Sequence, residues 1–209
     1  MARNKYPEQT IERILNVSAK LFWEKGYENT SIQDILDELK DLSKGAIYHH
    51  FKSKEAIFDA IASKEGENNI KFFNEIKNNN KLNGVEKLRK FIMSSALSET
   101  TKKIVKASPN LLDNPKFLAI QLKRINDIIA PDFIFPIIKE GIEDGSINTD
   151  KPYELAEAIT ILLNIWLNPL IFGANSSAIS KKCELINEFL EKYNILLFDE
   201  NSIQKFSQF

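Results

Sequence analysis

Glycine and proline are scarce in this chain, with seven of each in 209 residues. Both fall below the usual frequencies of about 7% and 5%. A turn-rich all-β fold would need many more, so the expectation is long helices joined by short turns. A single cysteine, Cys183, excludes an intrachain disulfide framework and a cysteine-cluster metal site, and fits a reducing compartment. The two histidines, His49 and His50, are neighbours. Adjacent side chains on a helix diverge by about 100°, so they form no i, i+4 metal clamp, and no other histidine could complete a Ser-His-Asp or Cys-His site. The phosphate- and nucleophile-binding patterns GxGxxG, GxxxxGK[ST] and GxSxG are absent. No enzyme, metal or cofactor is expected. The most apolar stretch, 161–172, is interrupted by Asn164, Asn168 and Pro169 and is shorter than the roughly 18 residues of a membrane helix. With the polar start MARNKYPEQ, this predicts a cytoplasmic protein without a membrane partner.

What is present is helical periodicity from end to end. A first helix is expected over 7–25, with Ile11, Ile14, Leu15, Ser18 and Phe22 on one face and Gly26 closing it. A short helix follows to Leu39, capped by Thr30 or Ser31. After the turn Lys40-Asp41-Leu42, Ser43 opens another short helix ending near His50, and Ser53 caps a long one reaching Phe73 or beyond. Further helices are expected at about 83–106, 114–129, 132–144, 152–172 and 176–198. The last ten residues read either as a docked helix or as a frayed end. Phe22, Ile32, Ile35, Leu36, Ile47 and Phe51 would pack the first helices into a helix-turn-helix unit.

The whole chain is nearly neutral, with 28 Lys plus Arg against 29 Asp plus Glu, but charge is segregated inside this unit. Residues 43–54, SKGAIYHHFKSK, hold Lys44, Lys52 and Lys54 and no acid; residues 28–41 hold Glu28, Asp34, Asp37, Glu38 and Asp41 against Lys40 alone. Such segregation is the footprint of a phosphate-facing surface.

The run SKGAIYHHFKSKEAIF, preceded by LFWEKGYENTSIQDIL, resembles the DNA-binding domain of the tetracycline-repressor (TetR) family of bacterial transcription regulators. The resemblance covers about residues 10–60. It departs from the family's usual small residue and glycine in the turn: Leu39-Lys40-Asp41-Leu42 stands there and reads as one residue longer. On this resemblance, Gly45 lets the backbone approach DNA. Ser43 and Lys44 reach base edges in the major groove. Tyr48, His49, His50 and Lys54 reach phosphates, and Thr30 offers a helix N-terminus to another. Each has a plainer reading, as a cap for Ser43 and Thr30 or as half-buried core for Tyr48.

The remainder matches the family only in length and helical pattern. The helix at 152–172 is apolar almost all round, so one face is expected to meet another subunit. With 176–198 it would form the four-helix bundle of a homodimer, with Leu163, Trp166, Leu167, Ile186 and Leu190 in the interface; the alternative is that both pack inside the monomer. In 117–129, Gln121 and Arg124 lie within an apolar arc that includes Phe117. A buried amide or guanidinium needs a partner, either a ligand or another side chain. With Phe91 and Trp166 they are the candidate lining for an apolar or amphipathic effector.

The fold class expected is therefore all-α: a helix-turn-helix domain over 1–53 and a helical effector-binding and dimerisation domain over 54–209. The expected function is a homodimeric regulator, most simply a repressor, binding a near-palindromic double-stranded operator and released by a small molecule. The rivals are a DNA-binding regulator without an effector and a helical-bundle enzyme or carrier.

Overall fold

A computed structural model describes residues 7–108, 112, 115–169, 171–173 and 175–207; the side chains of 65–69, 95, 100, 104, 116 and 117 lie outside this description. Among the described residues every regular element is helical. In chain order these are α1 (Pro7–Lys25), α2 (Ile32–Leu39), α3 (Lys44–His50), α4 (Lys54–Lys77), α5 (Gly84–Leu97), α6 (Glu99–Ala107), α7 (Pro115–Arg124), α8 (Phe135–Glu143), α9 (Pro152–Ile161), α10 (Ser176–Glu191) and α11 (Glu200–Phe206). Packing divides the chain into one unit of Met1–Asn68 with Lys103–Pro109 and a second of Asn69–Lys102 with Asn110–Phe209. The boundary is expected after residue 53; α4 begins at Lys54 and contributes residues to both units.

In the first unit α1 ends where Gly26 takes a positive φ of 82°, the left-handed turn that glycine adopts without steric cost. The core beneath is Ile14, Phe22, Ile35, Ile47 and Ile57, each no more than 1% exposed. Phe22, Tyr27 and Phe58 form a triangle with ring centroids 5.5 Å apart on every side. A buried side chain of this size stabilises by about 1.5–3 kcal/mol, so this triangle anchors the turn after α1 on the start of α4. The end of α6 joins the same unit, since the Tyr27 amide donates to the Ala107 carbonyl at 3.0 Å.

The second unit departs from the expected element boundaries in several places. The single helix expected at 83–106 is two, because extended Ser98 ends α5 and its hydroxyl accepts the Thr101 amide at 3.0 Å, starting α6. The break expected at Ala130-Pro131-Asp132 does not occur. α7 continues through a wide-turned π-helix, Ile125–Ile134, directly into α8. A wider turn gives the proline ring the room that the carbonyl four residues back denies it in an α-helix, while Ile125, Ala130 and Ile134 stay buried. α9 likewise passes into a π-helical turn, Leu162–Trp166. Here Asn164 and Asn168 return their side-chain amides to the Thr160 and Asn164 carbonyls at 2.9 and 3.2 Å. α10 stops at Glu191, earlier than expected, and the terminal segment is a docked helix: Asp199 caps α11, and Phe206 stacks edge-on to Phe198 at 5.2 Å.

α5 and α8 approach so closely that a Cβ on Gly84 would lie 2.2 Å from the Gly141 Cα. Two polar ties fix the contact. Asp144 accepts the Gly84 amide at 2.7 Å. Buried Lys87 pairs with Glu140 and donates to the Lys77 carbonyl at 2.7 Å.

Candidate nucleic-acid interface

The two short helices are held by local chemistry that the sequence encodes directly. Ser31 caps α2 in a reciprocal box with Asp34, its hydroxyl accepting the Asp34 amide at 3.1 Å and its own amide reaching the Asp34 carboxylate at 2.8 Å. Ser43 caps α3, accepting the Ala46 amide at 3.2 Å. The acids of α2 and the following turn have partners outside α3. Three of the four are paired to bases on α1: Lys25 to Asp34 at 3.0 Å, Lys20 to Glu38 at 2.9 Å, and Arg13 to Asp41 at 2.7 Å; the fourth, Asp37, accepts from Gln33 at 2.7 Å. Hydrogen bonds from Ser31, joined by Lys25, hold the Asp34 carboxyl well below the usual range. The same pairing with Lys20 and Arg13 lowers Glu38 and Asp41. With three acids engaged by α1, none of those three is paired to a cation of α3.

On α3 the side chains of Lys44, Tyr48 and His49 are exposed, as are Ser43 and Gly45, while His50 is half-buried and Ile47 is core. The Lys44 ammonium stands 6.0 Å above the Tyr48 ring, and the two histidine rings meet edge-on at 5.1 Å. A Cβ on Gly45 would meet only the Ser43 hydroxyl, at an ordinary 3.8 Å. Nothing inside the unit therefore demands glycine at this position. Exposed Lys52 adds a cation just beyond α3.

Two residues expected to face DNA make polar contacts within the unit. Thr30 is 1% exposed; its hydroxyl donates to the Gly26 carbonyl at 2.9 Å and its amide to the Tyr27 carbonyl at 3.2 Å. Ser31, not Thr30, is the cap. The Lys54 ammonium donates to the Tyr27 and Thr30 carbonyls at 2.7 and 2.8 Å and lies 4.0 Å from the centre of the Tyr27 ring. Burial pulls its pKa below the ordinary lysine value, against the acids Glu28, Glu55 and Asp34. The α1 bases Arg13, Lys20 and Lys25 were not anticipated. Their partners lie 28, 18 and 9 residues away, beyond the reach of local pattern.

Residues 14–61 match the family model of bacterial regulatory proteins, tetR family. This segment is a TetR-family DNA-binding domain. The match supports a general DNA-binding regulatory function. Similarity extends beyond the matched segment. The chain is 24% identical over 188 residues to the HTH-type transcriptional repressor AcnR of Corynebacterium glutamicum, covering 89% of this chain and 95% of that protein. Two solved structures share the fold. A TetR-family regulator from Pectobacterium atrosepticum superposes with a TM-score of 0.66 at 21% identity, over 91% of this chain and 97% of that one. A TetR/AcrR-type regulator from Aquifex aeolicus does so with a TM-score of 0.52 at 27% identity, over 95% and 96%.

The other candidate residues lie in the second unit. Leu167, Ile186 and Leu190 are at most 5% exposed and sit in its core, which corrects their expected place on a subunit surface. Leu163 and Trp166 are half-buried, and the Trp166 carbonyl accepts from Lys182 at 2.8 Å. The apolar residues that α9 and α10 do expose are Tyr153, Ile161 and Phe189, at 40%, 49% and 49%. Among the effector candidates, Phe91 packs edge-on to Phe73 at 5.1 Å and stacks on Phe133 at 5.6 Å. Gln121 and Arg124 are half-buried, and the Phe117 side chain lies outside the described residues. Two surface grooves of this unit, of about 590 and 330 Å³, are lined by other residues. Among the described residues, no helix is long and apolar enough to cross a membrane.

Proposed function

We propose that this TetR-family regulator works in the cytoplasm as a homodimeric repressor, placing one α3 helix per subunit in successive major grooves of a near-palindromic operator. The observation that carries the reading is the exposed cationic surface at α3: Lys44 and Lys52 stand exposed with Tyr48 and His49, while three of the five acids of 28–41 are occupied by α1. Lys44 at the start of α3 can donate to guanine O6 or N7, and Tyr48, His49 and Lys52 to phosphates. Gly45, with no internal reason to be glycine, fits a close approach of the DNA backbone. Similarity to a named repressor over most of the chain supports repression rather than activation.

The dimer face fits Ile161 and Phe189, exposed on α9 and α10, with Phe189 lining the groove of about 330 Å³ together with Leu155, Ala158, Leu162 and Tyr193. Exposed apolar side chains on two helices are what a four-helix dimer bundle buries. An apolar or amphipathic effector bound in the second unit would shift the population away from the DNA-binding geometry.

Affinity for duplex DNA measured from roughly 50 to 200 mM salt tests the reading, because phosphate contacts from two subunits must make it fall steeply. Affinity that holds constant over that range contradicts it. For the effector arm, a compound that raises the melting temperature must bind more weakly to DNA-bound protein; equal affinities in both states would remove that compound as the releasing ligand.

A further inference from the structure

The turn between α2 and α3 is strained, and one ion pair holds it. Lys40 has φ 59° and ψ −38°, and the Asp41 amide donates to the Leu39 carbonyl at 2.7 Å, two residues back. This is a γ-turn of the positive-φ form, which is rare and unfavourable for a residue with a side chain. Glycine would adopt it freely. Lys40 also closes α2, its amide donating to the Leu36 carbonyl at 2.9 Å. Only four residues, 40–43, separate α2 from α3, so the conformation at Lys40 determines where Ser43 begins the next helix.

Something outside the turn must offset this strain, and Asp41 supplies the link. Both its carboxylate oxygens are held by the Arg13 guanidinium of α1, at 2.9 and 2.7 Å. The two-pronged geometry matters because both partners are exposed, 51% and 58%. A single-point surface pair contributes little, whereas a planar fork fixes direction as well as distance.

We propose that Arg13 and Asp41 are positioning residues for DNA binding: their bidentate pair clamps the left-handed turn at Lys40 to α1 and thereby sets the orientation of α3. The clamp rests on the reading that α3 is the helix that enters the DNA groove. It gives an acid next to the DNA-facing surface a supporting role, opposite to the one simple electrostatics assigns it.

That opposition makes the test decisive. The probe is the duplex that wild-type protein recovers from a random-sequence library, and affinity is measured against salt for R13K, D41N, D41N/K40G and K44A, with helical content checked by circular dichroism. R13K keeps the charge but loses the fork. The clamp predicts that both R13K and D41N bind about fivefold more weakly with an unchanged salt slope, and that K40G restores most of the loss in the D41N background. D41N binding as tightly as wild type, or more tightly, would overturn the clamp. R13K binding like wild type would also overturn it, since that marks Arg13 as a phosphate contact. If K44A weakens binding while R13K and D41N do not, the clamp alone fails. If K44A also has no effect, the reading of α3 itself has failed.

Discussion

The Lys54 ammonium lies 4.0 Å from the centre of the Tyr27 ring and donates to the Tyr27 carbonyl at 2.7 Å. A lysine in a basic, acid-free segment thus ties the loop after α1 to the start of α4 instead of pointing outward. Replacing it with methionine keeps the stem and removes the donors, leaving the Thr30 carbonyl without its lysine donor. Lys54→Met is expected to lower the stability of the first unit by about 1–3 kcal/mol and to weaken DNA binding without altering its salt dependence. Chemical denaturation and affinity against salt measure both. A salt slope lowered by about one would return Lys54 to the phosphate contacts.

The dimer face makes a prediction that separates neighbouring residues. Phe189 is 49% exposed and Leu190 is 2% exposed. Phe189→Glu and Ile161→Glu should therefore yield folded monomers, because a charge buried in the interface without a partner costs several kcal/mol. Leu190→Glu should lose helical structure instead. Light scattering with circular dichroism distinguishes the outcomes, and intact dimers in both surface variants would remove this face from the interface.

These two cases mark what could be read from sequence. Ser31 with Asp34, Ser43 before α3 and Gly26 after α1 act within a few residues, and Ile14 and Phe22 on α1, Ile35 on α2 and Ile47 on α3 each fall on the apolar face of their own helix. All were legible. The direction of Lys54 was not, because its partners lie 24 and 27 residues back and a lysine stem serves either orientation. Nor was the choice between Phe189 and Leu190, since both are apolar and only packing decides which faces inward. At Pro131 the local signal was overridden, with Ala130 and Ile134 keeping the chain helical through burial.

The ion pairs from α1 to α2 give the first unit a defined acid response. Asp34, Glu38 and Asp41 all titrate below their ordinary values in the folded state, held down chiefly by hydrogen bonds from Ser31, Lys20 and Arg13 respectively. Groups of this kind contribute stability that is present above the unfolded values, about pH 4, and is lost as pH falls through the folded ones. Thermal unfolding between pH 7 and 3 should show little change down to about pH 5 and a decline below about pH 4. Asp34→Asn should make that decline shallower. A decline identical in Asp34→Asn and wild type would mean that the pairing of Asp34 carries none of the effect.

The central claim, that two α3 helices read two half-sites, is tested most directly by selecting bound duplexes from a random-sequence library with wild-type protein and determining the stoichiometry on the recovered sequence. The account predicts an inverted repeat whose half-site centres lie about 34–36 Å apart, or a multiple of that, bound by two subunits or a pair of dimers. An enriched sequence without two-fold symmetry, bound by a single subunit, or no enrichment at all, would contradict it.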